Sequence, residues 1–212
     1  MARRAALVVA LAFVVGLPGA AGEASSGSGL YIVRPDPRAC PSPLCGGYWV
    51  ALANHARTAC EDEGLRARCH VARAVDEARR PLAAGIADGA LVRGSIEPWT
   101  RLGIRQLYQL VAFTVREPLG AELEGSYFRA RDLGIRCVRA PCYHLKAARL
   151  NRPVSRLVSS VDLVSLVRPT PRQLARAQAA LEGSGLLLLG TVIETSAAGT
   201  ILQASRFYLR PG

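Results

Sequence analysis

Lysine is nearly absent from this chain: Lys146 is the single lysine among 27 basic residues, set against 16 Asp and Glu. Histidine is scarce at three, methionine occurs once, and aromatics make up 6%. No P-loop, no G-x-G-x-x-G opening a helix, no G-x-S-x-G and no H-E-x-x-H occurs, so common nucleotide, hydrolase and zinc-protease readings lack a motif. C-x-x-C and C-x-x-C-H are missing as well, which removes the usual thiol-redox and haem-attachment signatures. Beyond residue 22 no apolar run approaches the roughly 20 residues of a membrane-spanning helix. What is present is enough to fold: 50% of the 212 residues are apolar and 20% are charged, a balance that excludes wholesale disorder. The 20 glycines and 13 prolines carry no G-X-Y period, so a collagen-like fibre is excluded too.

The first 22 residues read as a secretory leader. Arg3 and Arg4 precede an uncharged apolar stretch from Ala5 to Leu17, Pro18 and Gly19 break it, and Ala20-Ala21-Gly22 offers small residues for cleavage. The apolar stretch is too short to cross ~30 Å of hydrocarbon, so an exported protein cleaved near Gly22 is expected, periplasmic or secreted, with no membrane span afterwards. Removing Arg3 and Arg4 leaves 25 basic and 16 acidic residues, a formal +9. The arginines are scattered along the sequence, not gathered in a run with interleaved aromatics. A solvated basic surface is therefore expected and a nucleic-acid partner is not; an envelope or extracellular polymer, or a protein, is the partner class left open.

After a Ser/Gly-rich linker at 23–29, two segments echo one another. Tyr31 to Asn54 reads YIVRPDPRACPSPLCGGYWVALAN, and Tyr127 to Asn151 reads YFRARDLGIRCVRAPCYHLKAARLN. Tyr31 aligns with Tyr127 and Asp36 with Asp132. Cys40-x4-Cys45 aligns with Cys137-x4-Cys142 after a one-residue shift, and Asn54 and Asn151 both lie nine residues beyond the second cysteine. Downstream, Val75-Asp76 recurs as Val161-Asp162, Gly94-Ser95-Ile96 as Gly190-Thr191-Val192, and Gln109, Phe113 and Arg116 as Gln203, Phe207 and Arg210. The ordered series implies two tandem units, residues 30–117 and 126–211.

Within the first unit, strands are expected at 30–34, 47–53, 90–97 and 106–116, the last with Leu107, Val111, Phe113 and Val115 on one face. Strict alternation from Leu65 to Val71 predicts a further half-buried strand, and an alanine-rich helix follows Asp76, limited by Pro81. In the second unit Thr170 caps a helix, Pro171 takes its first turn and Gly183 ends it. Leu174, Ala177, Ala180 and Leu181 form its apolar stripe, and strands follow at 186–194 and 200–209. The fold class expected is α+β: two tandem β-rich units, each an antiparallel sheet with one covering helix.

Six cysteines in an exported chain imply disulfides. The equivalent positions pair Cys40 with Cys45 and Cys137 with Cys142, which leaves Cys60 for Cys69. Zinc is the competing reading, since Cys137, Cys142 and His144 cluster and His70 follows Cys69, but the x4 spacing is unspecific and no metal or cofactor is assigned. Catalysis has little to stand on. His55, His70 and His144 do not recur between units. Asp36 and Asp132 could act as an acid–base pair if the units faced one another, yet an Asp beside Pro or Gly after a strand ordinarily fastens a turn. No catalytic residue is assigned, and an enzyme is not expected.

The segments YIVRPDPRACPSPLCGGYWV and GIRCVRAPC, with the terminal RFYLR, resemble a family of exported bacterial proteins built on a domain of unknown function. The resemblance covers most of the chain beyond the leader. It implies a secreted or envelope protein and carries over no activity and no functional residue. Two functions from different classes are expected to compete. One is a disulfide-stapled, non-enzymatic module for extracellular binding or structure. The other is a peptidase inhibitor that presents Leu44 or Arg139 on a short bridged loop.

Overall fold

The computed structural model describes residues 28–41, 43–60, 64–101, 103–195 and 197–211. The leader, its cleavage point and nearly all of the linker lie outside the described residues. Eight strands occupy the first half: β1 Gly29–Pro35, β2 Tyr48–Leu52, β3 Thr58–Cys60, β4 Gly64–Arg66, β5 Cys69–Val71, β6 Arg73–Val75, β7 Ala90–Arg101 and β8 Ile104–Gly120. The second half holds β9 Ser126–Asp132, β10 Leu145–Arg149, β11 Ser155–Val158, β12 Ser160–Asp162, the helix α1 Pro171–Glu182, β13 Leu186–Thr195 and β14 Gly199–Leu209.

The α+β expectation is corrected. The protein is mostly β, with 12 strands in one sheet ordered β11-β10-β9-β13-β14-β8-β7-β1-β2-β5, β12 beside β14 and β6 beside β8. Antiparallel β8–β14 pairing, from Glu117↔Leu209 to Gly120↔Arg206, carries that sheet through the middle of the chain. Among the described residues α1 is the single helix, so no helix covers the first half. α1 forms where its signals agree: Thr170 accepts from Gln173 N, Gln173 Oε1 accepts from Thr170 N, Pro171 opens the first turn and Gly183 N closes onto Ala179 O. The alanine-rich stretch after Asp76 lacks that agreement. Asp76 Oδ1 accepts from Arg80 N, Arg79 takes φ 64°, and Pro81 has no N–H to give. The side chain thus ties the chain into a turn where a helix would need repeating bonds.

On either side of the β8–β14 contact the same pairing scheme appears. β1 lies between β2 and β7, β7 pairs with β8, and β6 runs parallel to β8; β9 lies between β10 and β13, β13 pairs with β14, and β12 runs parallel to β14. The hydrogen bonds fix a register one residue away from the sequence alignment. Ala53 N donates to Leu30 O and Leu150 N to Tyr127 O, while Asp36 N donates to Gly47 O and Leu133 N to His144 O. Leu30, not Tyr31, therefore stands where Tyr127 stands, and Asp36 answers to Leu133, not Asp132.

The later alignment is displaced as well: Gly94 pairs with Ala112 but Gly190 with Ala204, across a hairpin four residues shorter, so Phe207 answers to Val115 and not to Phe113. The β7–β8 register slips at Arg93/Gly94 and the β13–β14 register at Leu189/Gly190, leaving Phe113 and Ser205 as the extra residues. A Cβ at Gly94 would collide with Val111 O, and one at Gly190 with Gln203 O, so only glycine fits there. The bulge also flips the side-chain parity of β8. Tyr108, Leu110 and Ala112 share a core with Val115, whereas Phe113 is 37% exposed. The predicted 65–71 strand is split for a similar local reason: β4 folds back onto β3 as a hairpin, the Cys60–Cys69 bridge ties the last residue of β3 to β5, and Leu65 is exposed.

Alternation along the strands divides the core in three. Tyr31, Val33, Val50, Val71 and Val92 pack in the first half, and Leu186, Leu188, Leu202, Phe207 and Ala177 of α1 in the second. The opposite face gathers Ile32, Leu91, Leu187 and Tyr208 from both halves into one further cluster. The sheet curls around that cluster, since β1 and β9, with four strands between them in its order, are joined by side chains. Asn54 donates to Tyr127 O and Leu150 O and accepts from Tyr127 N; Asn151 donates to Leu30 O and Ala53 O and accepts from Leu30 N. Both asparagines sit at positive φ, 63° and 53°, a conformation asparagine tolerates better than most residues.

Candidate functional site

The first cysteine loop, residues 36–47, leaves β1 and returns into β2. Its carboxylate, Asp36, is fully buried. Arg38 donates to it from its backbone N and from Nε and Nη2, at 2.8–3.1 Å. Trp49 Nε1 donates at 3.2 Å and His70 Nε2 lies 3.1 Å away. The Arg38 hydrogen bonds, then that of Trp49, hold the Asp36 carboxyl far below the usual carboxylate range. Around it the ring of Trp49 meets His70 edge-on at 5.2 Å and carries the guanidiniums of Arg38 and Arg68 at 4.9 and 4.8 Å. Neighbouring strands bring Trp49 and His70 together, because the two residues are direct partners in the β2–β5 register.

The second loop, residues 133–144, has no such cluster. Asp132 accepts from Gly134 N at 2.7 Å as an ordinary turn carboxylate, with Arg136 3.8 Å away. Leu133 and Ile135 are 42% and 43% exposed, and Val138 is wholly exposed. The two carboxylates singled out from the sequence are therefore not brought together; each bonds within its own loop.

All six cysteines are bridged as the repeated spacing implied: Cys40–Cys45, Cys60–Cys69 and Cys137–Cys142, with Cα separations of 5.3, 5.5 and 5.6 Å. Cys137 and Cys142 thus offer no thiolate beside His144. Each histidine ring faces a backbone carbonyl: His55 that of Asn151, His70 that of Gly46 and His144 that of Cys142, at 2.7–3.0 Å. Of the two residues considered as inhibitory bait, Leu44 has its carbonyl bonded by Arg38 Nη2 at 3.3 Å, while Arg139 is exposed on the second loop.

A broad concavity of about 840 Å³ opens beside the first loop, against Tyr48, Leu82 and Ile86. Its one cation, Arg73, is committed to Gln109 Oε1 and to the face of Trp99 at 4.2 Å. Sequence reasoning missed the Asp36 cluster because its members come from the loop and from two separate strands, β2 and β5. The mark of the central junction was legible: two asparagines at matched spacing, although nothing in the sequence said that each reaches the other half.

A family model described as a domain of unknown function (DUF6748) matches residues 29–211. No curated protein and no solved structure matches the chain.

Proposed function

Because the chain belongs to the family of the domain of unknown function DUF6748, which brings no activity with it, we propose from its residues alone that it is an exported, disulfide-stapled module that binds or scaffolds without catalysing. The observation that carries this reading is where its reactive side chains are spent. The three histidine rings fasten loops to backbone carbonyls, Asp36 fastens the first loop, and six cysteines close three bridges. Bridges of this kind persist in an oxidising compartment, which supports export beyond the cytosol. Matched pairing around the β8–β14 contact supports descent of the two halves from one duplicated unit. N-terminal sequencing of protein recovered from the native envelope or medium tests export: a mature start at Glu23 is expected, and an intact Met1 contradicts it. Turnover of ester, peptide or glycoside substrates by the pure protein, lost in His70→Ala or His144→Ala, would overturn the non-catalytic reading.

Peptidase inhibition remains a second reading for one loop only. Val138 and Arg139 project from the bridged second loop with their side chains in solvent, whereas the first loop's Leu44 carbonyl is tied inward. A serine-protease panel at micromolar protein decides it, with Arg139→Ala abolishing any inhibition that this loop provides.

A further inference from the structure

Basic residues scattered in sequence meet in one row of the sheet. Lys146 pairs with Arg131 across β10–β9, and Arg116 of β8 pairs with Leu91 on the face of the central cluster. Extending the β13–β9 and β14–β8 registers by one residue and the β13–β14 register by two places Gly185 and Arg210 between them. The row therefore runs Lys146, Arg131, Gly185, Arg210, Arg116. Gly185 leaves a gap, and Arg129 fills it from the adjoining row, its Cγ lying 2.8 Å from where a Cβ on Gly185 would stand. At about 4.8 Å per strand the file covers roughly 19 Å.

None of these five side chains makes an ion pair or a hydrogen bond with another described side chain or carbonyl. The same face handles two other arginines differently: Arg34 and Arg206 both pair with Glu122, and Arg34 also with Asp88. Arg116 is half-buried, and burial followed by the nearby charges of Arg210 and Arg129 pulls its guanidinium below the ordinary arginine range. Cations held side by side without a counter-charge repel one another, and oxyanions arriving from outside would relieve that repulsion.

We propose that Arg116, Arg129, Arg131, Lys146 and Arg210 form a binding site for a linear polyanion whose phosphate or carboxylate groups lie in series across the strands. Guanidiniums suit such groups because each can hold an oxyanion through two parallel N–H donors. The assignment rests on the binding-module reading above and supplies its ligand class.

Titration calorimetry of the full chain with polyphosphate of about twenty units, and separately with polygalacturonate, tests it at low and moderate salt. Binding of either polymer is expected, weakening as salt rises, and the tighter of the two identifies the oxyanion. Arg116→Gln with Arg210→Gln, and separately Arg129→Gln with Arg131→Gln, should each weaken binding at least tenfold with an unchanged circular-dichroism spectrum. Arg156→Gln with Arg172→Gln removes the same charge elsewhere and should stay within twofold. Equal losses in all three pairs, orthophosphate binding as tightly as the polymers, or tighter binding of single-stranded DNA would overturn the site. Absence of binding without turnover would remove the site and leave the non-catalytic reading standing; release of orthophosphate from polyphosphate would do the reverse.

Discussion

The two cysteine loops start from equivalent places in the strand pairing and end as opposites. The loop after β1 buries a carboxylate beneath Arg38, Trp49 and His70. The loop after β9 puts Leu133 at that position and leaves Leu133, Ile135 and Val138 in solvent. Scaffold and loop chemistry have thus been decoupled: the bulged glycines, the asparagines at positive φ and the bridges are held in common, while what each loop presents is not. That is how a framework acquires distinct surfaces without redesign of its sheet.

The largest expected effect probes the register that separates Phe113 from Phe207. Phe207 is wholly buried and Phe113 is the exposed extra residue, so Phe207→Ala should cost about 4 kcal/mol and Phe113→Ala less than about 1 kcal/mol, measured by urea unfolding. Equal costs would restore the equivalence read from the sequence and break the register described above.

Next come the two asparagines, where the halves should behave alike. Each makes three side-chain hydrogen bonds to the other half's backbone. Asn54→Ala and Asn151→Ala should therefore each cost about 3 kcal/mol from lost bonds and an unfavourable positive φ. A marked difference between them would mean that the junction is not reciprocal.

The smallest effect concerns acid sensitivity of the first loop alone. With its folded carboxyl held below the usual range, Asp36 contributes stability that is present above the unfolded carboxylate pKa near 4 and lost as pH falls below it. Asp36→Asn should lower Tm at neutral pH by about 5 °C and flatten the fall of Tm below about pH 4. Asp132→Asn, which removes only a turn acceptor, should change neither by more than about 1 °C. A steeper acid limb in Asp36→Asn would contradict the burial and pairing assigned to that carboxylate.

Legibility in the sequence followed the range of the forces involved. Local signals were read well: Thr170, Pro171 and Gly183 bound α1 where it forms, and repeated spacing paired the cysteines. Matches of residue type did not reveal register, because one inserted residue in a loop or bulge shifts every later partner while leaving composition intact. The helix expected after Asp76 failed to a side chain that bonds its own turn. Longer-range features were out of reach. The single sheet depends on β8 meeting β14, and the basic row depends on four registers at once, so arginines that looked dispersed along the chain stand side by side in space.

The central claim is that one sheet, clasped by Asn54 and Asn151, makes the two halves a single cooperative body. Scanning calorimetry of the oxidised, full-length protein tests it most directly. A single transition is predicted, with calorimetric and van't Hoff enthalpies equal, and both Asn54→Ala and Asn151→Ala should move it as a whole. Two resolved transitions, each answering to substitutions in only one half, would contradict it.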